Sequence, residues 1–194
     1  MAGTIRQRMI ERTAVLLAKK GLQGTSFSEV LEATGAPRGS LYHHFPGGKD
    51  ELILAAVRLA GDQALAALDR MSGSSAADVA RTFAGLWRAV LDMSGFAAGC
   101  AVVAVTVAAD SQPLLERAAE VFRDWRSRLG ALLAQGGVPE DRAPALAAGL
   151  ISGLEGAVIM SRAERSFEPF DLVAGELIAA VEAAAAKRRP RRPG

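Results

Sequence analysis

The residues best suited to chemistry on a polyanion sit in one stretch, Ser28 to Phe45, SEVLEATGAPRGSLYHHF. Arg38, Ser40, Tyr42, His43 and His44 can each hydrogen-bond to phosphates or base edges. Leu41 and Phe45 stand four apart, so on a helix they share one face and pack inward, leaving those five to the other faces. Gly39 removes a side chain near the start of this helix, which lets backbone approach a phosphate closely. Ahead of it, Ser28 has a side chain suited to cap a short helical run, Glu29-Val30-Leu31-Glu32-Ala33. Thr34-Gly35-Ala36-Pro37 then breaks the run, because Gly35 permits left-handed backbone and Pro37 starts a helix but does not continue one. Two short helices joined by a glycine-containing turn form a helix-turn-helix pattern, whose second helix can enter a DNA major groove. An ordinary surface helix with two core anchors is the plain alternative for so short a window.

With its flanks the stretch becomes more specific. Gly21 to Leu52, GLQGTSFSEVLEATGAPRGSLYHHFPGGKDEL, resembles the DNA-binding domain of the TetR family of bacterial transcriptional repressors. Thr25-Ser26-Phe27 matches the T-[ST]-apolar opening and Gly35 the glycine of the turn. Gly39-Ser40-Leu41-Tyr42-His43-His44-Phe45 matches G-x-L-Y-x-H-F, and Lys49 the lysine that opens the next helix. Pro46-Gly47-Gly48 departs from the pattern as a linker one residue longer than in many members. The resemblance implies that Thr25 or Ser26 meets a phosphate near a helix N-terminus, where anions are favoured. We expect Arg38 and Ser40 on base edges and Tyr42, His43 and Lys49 on phosphates, with the backbone at Gly39 close by. His44, the motif histidine, either contacts phosphate or packs. Within the family, the chain is similar to the branch whose better-known members sense multidrug-like or flavonoid compounds.

Length and composition set the frame. The 194 residues suffice for one or two small domains with real cores. Half are hydrophobic and alanine dominates, which favours helices. A single cysteine, Cys100, excludes an internal disulfide framework and points to a reducing compartment. The N-terminal MAGTIRQRMIERT lacks a signal-like apolar core, and Phe96 to Ala109 is shorter than the about 20 residues that span a bilayer. These features predict a soluble, cytoplasmic chain with no membrane partner. Charge is unevenly distributed: residues 1–50 hold seven Lys/Arg against four Asp/Glu, a balance of +3, and 51–186 hold eleven against seventeen, a balance of −6. The basic end suits phosphate and the larger part would repel it, so a small nucleic-acid module attached to a domain with another task is expected.

Periodicity and breakers predict an all-α chain. Helix 1 runs from about Thr4 to Lys20, with Arg6, Arg8 and Arg12 either reaching a DNA backbone or forming a solvated basic face. Helix 4 covers about Lys49 to Met71; in the family it links the two domains, and its tilt couples them. Helix 5 covers about Ala76 to Met93 and is capped by Ser75. Helix 6, roughly Ala97 to Ala109, is apolar on every face and is expected to be buried; its valines make strand the competing assignment. Helix 7 begins near Ser111 and ends at Gln135, with Arg123, Arg126 and Arg128 on its solvated face. Helix 8 begins between Pro139 and Pro144 and reaches about Arg165, and helix 9 covers about Pro169 to Ala186. A glycine in a helix interior costs roughly 1 kcal/mol relative to alanine, so Gly149, Gly153 and Gly156 require a reason, and close helix approach is the physical candidate. In the family the last two long helices pair with their symmetry mates. That places Gly149, Gly153, Leu154, Gly156, Ala157, Leu172, Leu177 and Ile178 at a dimer interface, with packing inside one subunit as the alternative.

The expected organisation is thus a three-helix helix-turn-helix DNA-binding domain (1–48), a helical ligand-binding and dimerisation domain (49–186) and a basic, disordered tail (187–194). No G-x-S-x-G elbow, Walker loop, G-x-G-x-x-G after a strand or H-E-x-x-H is found. With two adjacent histidines as its whole complement, the chain reads as no enzyme, with no cofactor and no metal. The expected partners are a double-stranded DNA operator, a second copy of the chain and a small hydrophobic or aromatic effector. Candidate effector-binding residues are Trp87, Met93, Phe96, Cys100, Val103, Phe122, Trp125 and Met160, each of which could instead be ordinary core. The expected activity is ligand-released repression at a palindrome, with recognition helices about 34–36 Å apart. A ligand-independent regulator or activator, and a small-molecule-binding protein with a vestigial DNA module, are the rivals.

Overall fold

The computed structural model describes residues 4–186, apart from the side chain of Arg38. The tail assigned to 187–194 lies outside the described residues. All the regular elements described are helices: α1 (Ile5–Lys20), α2 (Phe27–Thr34), α3 (Arg38–His44), α4 (Gly48–Asp69), α5 (Ala76–Ser94), α6 (Ala101–Thr106), α7 (Gln112–Gln135), α8 (Ala143–Glu164) and α9 (Glu168–Ala186). They group into two compact units, residues 4–64 with 98–122 and residues 65–97 with 123–186, and both α4 and α7 run through the division.

In the first unit, α1 buries Met9, Ile10, Thr13 and Leu17 and packs against α2 and α6. The Thr13 hydroxyl donates to the Met9 carbonyl at 2.8 Å, which satisfies a polar group that would otherwise cost free energy in the core. Cα of Gly61 on α4 passes so close to α7 that a Cβ there would lie 2.8 Å from Cγ2 of Val121. The expected helix 6 is shorter than its apolar composition suggested. Residues 97–100 are not helical, because the Gly99 N–H donates 2.8 Å to the Ala18 carbonyl at the end of α1 rather than within a helix. Nor is the segment buried throughout: Val102 and Val105 are, whereas Val107 is 77% exposed.

In the second unit, α5, α8 and α9 pack on one another. Ser75 caps α5, accepting from the Asp78 N–H at 3.2 Å, and its hydroxyl donates to the Asp78 carboxylate, which holds that carboxyl below its ordinary value. The C-terminus of α7 meets this cap, with the Ala76 N–H donating to the Gly136 carbonyl at 3.0 Å. By length and composition, α8 is apolar enough to cross a membrane, a property the sequence reading assigned to no segment. Here Leu150, Leu154 and Val158 of α8 are buried, and α9 and α5 pack against it.

Candidate nucleic-acid interface

The first turn of α2 is set by Ser26, not by Ser28 as expected. The Ser26 hydroxyl accepts from the Glu29 N–H at 3.2 Å, and the Glu29 carboxylate accepts from the Ser26 N–H at 3.1 Å. This reciprocal capping box needs Ser and Glu three apart, and Ser28 has no such glutamate behind it. Lys20 donates to the other Glu29 oxygen at 2.5 Å, fastening the end of α1 to the start of α2. The Lys20 hydrogen bond is the main reason the Glu29 carboxyl is held below its ordinary value, and the same bond raises Lys20. Thr25, expected against a phosphate, is buried, and its hydroxyl donates to the Gly21 carbonyl at 2.8 Å. It ties the α1–α2 loop together, so its side chain does not reach the surface.

Gly35 ends α2 in left-handed backbone (φ 66°), the conformation for which glycine carries no steric cost. The chain then extends through Pro37 and enters α3. Leu41 and Phe45 are buried, as their spacing predicts, and Tyr42 is 67% exposed with His43 beside it. The Tyr42 ring stands edge-on to Phe27 of α2 with centroids 5.8 Å apart, so the aromatic body is braced while its hydroxyl end faces solvent. The Ser40 hydroxyl donates to the Pro37 carbonyl at 2.6 Å and keeps its lone pairs for an outside donor. Gly39 is exposed, and a Cβ there would meet nothing within 4 Å. The rings of His43 and His44 lie 5.1 Å apart, His44 being half-buried. The backbone of Arg38 begins α3, and its side chain lies outside the description.

Two basic residues do more inside the fold than their sequence suggested. The Arg6 guanidinium lies 5.0 Å from the centroid of the Phe45 ring, a cation–π contact from α1 onto the end of α3. Lys49 donates to the Leu22 carbonyl at 3.2 Å, joining the start of α4 to the α1–α2 loop and leaving two N–H donors for another partner. The bracing roles of Phe27, Arg6 and Lys20 were missed because they are contacts across elements. Helical periodicity carries no signal for pairs such as Phe27–Tyr42 or Arg6–Phe45.

The residues proposed for an effector are not gathered by one compact unit. Cys100, Val103 and Phe122 belong to the first, and Trp87, Met93, Phe96, Trp125 and Met160 to the second. Met93 is 81% exposed and Met160 is exposed as well, so neither sits in the core of its unit. Both lie on the outer side of helices whose other faces carry the packing. Trp125 is buried and Trp87 half-buried. Phe96, in left-handed backbone (φ 64°), packs against Phe167 with ring centroids 4.7 Å apart and planes tilted by 54°. The Arg88 guanidinium covers that same ring at 4.1 Å and donates to both oxygens of Asp171, which raises its already high pKa.

The proposed dimer residues divide in the same way. Leu154 and Ala157 are buried within the subunit, and Gly153 accommodates Leu177, whose Cδ1 lies 2.8 Å from where a Cβ would stand. Those three therefore serve packing inside one chain. Gly149 and Gly156 are only half-buried, Ile178 likewise, and Leu172 is 66% exposed. With Ile159 and Met160 they leave apolar surface on the outer sides of α8 and α9.

Residues 9–67 match the family of bacterial regulatory proteins, tetR family, and residues 76–176 match the C-terminal domain of LmrA/YxaF-like transcriptional regulators. An uncharacterised HTH-type transcriptional regulator of Mycobacterium tuberculosis is 37% identical over 179 residues, covering 89% of this chain and 91% of that protein. The HTH-type transcriptional regulator LmrA of Bacillus subtilis is 27% identical over 175 residues, covering 86% and 91%. The crystal structure of a TetR transcriptional regulator from Chloroflexus aurantiacus superimposes with a TM-score of 0.77 at 26% identity, covering 92% of this chain and 94% of that one. The braced helix-turn-helix and these full-length likenesses agree, and the chain belongs to the TetR family of DNA-binding transcriptional regulators.

Proposed function

We propose that the protein is a ligand-released repressor that binds a palindromic operator as a homodimer. The carrying observation is the division of α3. Leu41 and Phe45 are fully buried, while Tyr42, His43 and Gly39 face outward beside Ser40. Gly39 supports this reading because nothing in the subunit requires its missing side chain, whereas a closely approaching phosphate would. The interface assigned to DNA is α3 with the start of α4. Arg38 and Ser40 read base edges, and Tyr42, His43 and Lys49 hold phosphates. Ser26 adds its partly exposed cap, and His44 its half-exposed ring.

The DNA-binding part is assigned to residues 1–48 and effector binding and dimerisation to 49–186. The outward residues Gly149, Gly156, Leu172 and Ile178 are assigned to the two-fold interface. A small apolar or aromatic effector would bind in this part, with Trp87, Phe96 and Trp125 of the second compact unit as its aromatic candidates. It releases DNA only so far as it prefers the dimer form that does not match the operator. Such a protein acts where the chromosome lies, in the bacterial cytoplasm, and works by binding rather than by catalysis.

The test is footprinting of the purified protein on DNA flanking its own coding region, with competitor DNA present. A protected palindrome with two half-sites one helical turn apart is the expected result. Binding no tighter than to random duplex, there and in selection from random sequences, would overturn the reading in favour of a vestigial DNA module.

A further inference from the structure

The exposed face of α7 carries several arginines that the sequence presents as one solvated stripe. The structure separates them. Arg117 pairs with Glu120 at 2.6 Å, and Arg128 pairs with Asp69 at 2.6 Å while also donating to the Ser72 hydroxyl. Arg123 and Arg126 have no carboxylate within ion-pairing distance among the described residues. Both line a concavity of about 460 Å³ in the second compact unit, where α7 meets the start of α8. That volume falls within the range of small-molecule sites. None of the effector candidates lines it.

The concavity has a polarity gradient. Arg123, Arg126 and the Ser127 hydroxyl come from the earlier turns of α7. Gly130, Ala131 and Ala134 continue the wall without charge, and Pro144 of α8 faces them. From Arg123 to Ala134 the helix rises about 16 Å. Two guanidiniums at one end repel a cation and attract a carboxylate, to which they can donate in pairs. The small apolar wall would be left uncovered by a bare inorganic anion. Glu140, which also lines the concavity, disfavours a ligand carrying more than one negative charge.

We infer that this concavity is a binding site for an amphiphilic monocarboxylate, its carboxylate held by Arg123 and Arg126 and its unbranched apolar chain laid along Gly130, Ala131, Ala134 and Pro144. The site is separate from the effector reading above, which stands or falls independently.

Decanoate is the probe, titrated calorimetrically into the full chain below its micelle-forming concentration. Decanol and inorganic phosphate serve as comparison ligands. Saturable binding of one decanoate per chain is expected, with both comparison ligands about tenfold weaker or worse. Arg123→Gln with Arg126→Gln should weaken decanoate about tenfold or more. Ala131→Leu, an exposed position on the wall, should do so by filling the space, and Arg142→Gln, outside the concavity, should change nothing. Circular dichroism checks that each variant is folded. No saturation, or native affinity retained in either test variant, would overturn the site. So would a loss of self-association in the arginine variant without any decanoate binding, since the concavity would then be a contact between copies.

Discussion

Gly156→Leu separates packing inside one chain from packing between two. Among the three glycines of α8, the subunit explains only one. At Gly153 a Cβ would stand 2.8 Å from Leu177, at Gly149 the same side chain is 4.0 Å away, and at Gly156 nothing lies within 4 Å. Glycine in a helix interior costs about 1 kcal/mol relative to alanine. If the isolated subunit were the whole account, Gly156→Ala would therefore stabilise it by about that amount. Close approach of a two-fold related helix reverses the expectation. A leucine at 156 overpacks the interface at about 1–3 kcal/mol per site, and the symmetry axis makes it enter twice. The dimer dissociation constant should then rise by at least about thirtyfold. Sedimentation equilibrium measures this, and chemical denaturation of the dissociated chains measures subunit stability separately. Stability of the subunit should be kept or improved while association weakens. Native self-association of Gly156→Leu would remove Gly156 from the interface and undermine the assignment of that outward face to dimerisation.

Other parts of the structure yield sharper or cheaper tests. Gly136→Ala would place a Cβ 2.8 Å from both the Ala76 Cα and the Ser75 carbonyl carbon, backbone atoms that cannot rotate away. With the Ala76–Gly136 hydrogen bond strained too, urea unfolding should show a loss of about 2–4 kcal/mol; a change near zero would mean the α5–α7 contact is loose. The Glu29 carboxyl is lowered from the usual 4.5, chiefly by the Lys20 hydrogen bond, so its stabilisation is fully present above 4.5 and is lost as pH falls through the depressed folded value. The stability gap between the native protein and Glu29→Gln should accordingly close on acidification below 4.5, and a gap that widened there would reverse the assigned sign. In DNA binding, Lys49→Ala should reduce the slope of log affinity against log salt by about 0.9 and weaken all sequences alike. Arg38→Ala should relax site preference instead, and an unchanged preference would take Arg38 out of base readout.

The helix-turn-helix was legible in the sequence because its rules are local. Gly35 in left-handed backbone, the four-residue spacing of Leu41 and Phe45, and the Ser75 cap of α5 each depend on a handful of neighbouring residues. The misreadings arose where a local signal was duplicated or overruled. Ser28 and Ser26 both offer a hydroxyl before an apolar run, and only Ser26 has Glu29 three positions on to complete the box. The apolar run after Phe96 suggested a long helix, but a distant acceptor, the Ala18 carbonyl, takes the Gly99 N–H and delays the helix start. Met93 and Met160 show a different limit: both are exposed on their helices, and residue type alone does not say which side of a helix faces a neighbour.

By itself the sequence determined that the chain is helical, where the turn between α2 and α3 falls and which helix presents Tyr42 and His43 outward. These follow from propensity, capping and a 3.6-residue period, interactions that close within one or two turns. Only the tertiary structure decided that Arg6 braces Phe45, that Gly153 accommodates Leu177 while Gly156 stays open, and that Arg128 reaches Asp69 of α4 while Arg123 and Arg126 stand unpaired. Each depends on two helices far apart in the chain meeting at a given register. The pairing energy of such contacts is set by distances of a few ångströms, and residue type and spacing along one helix do not encode them.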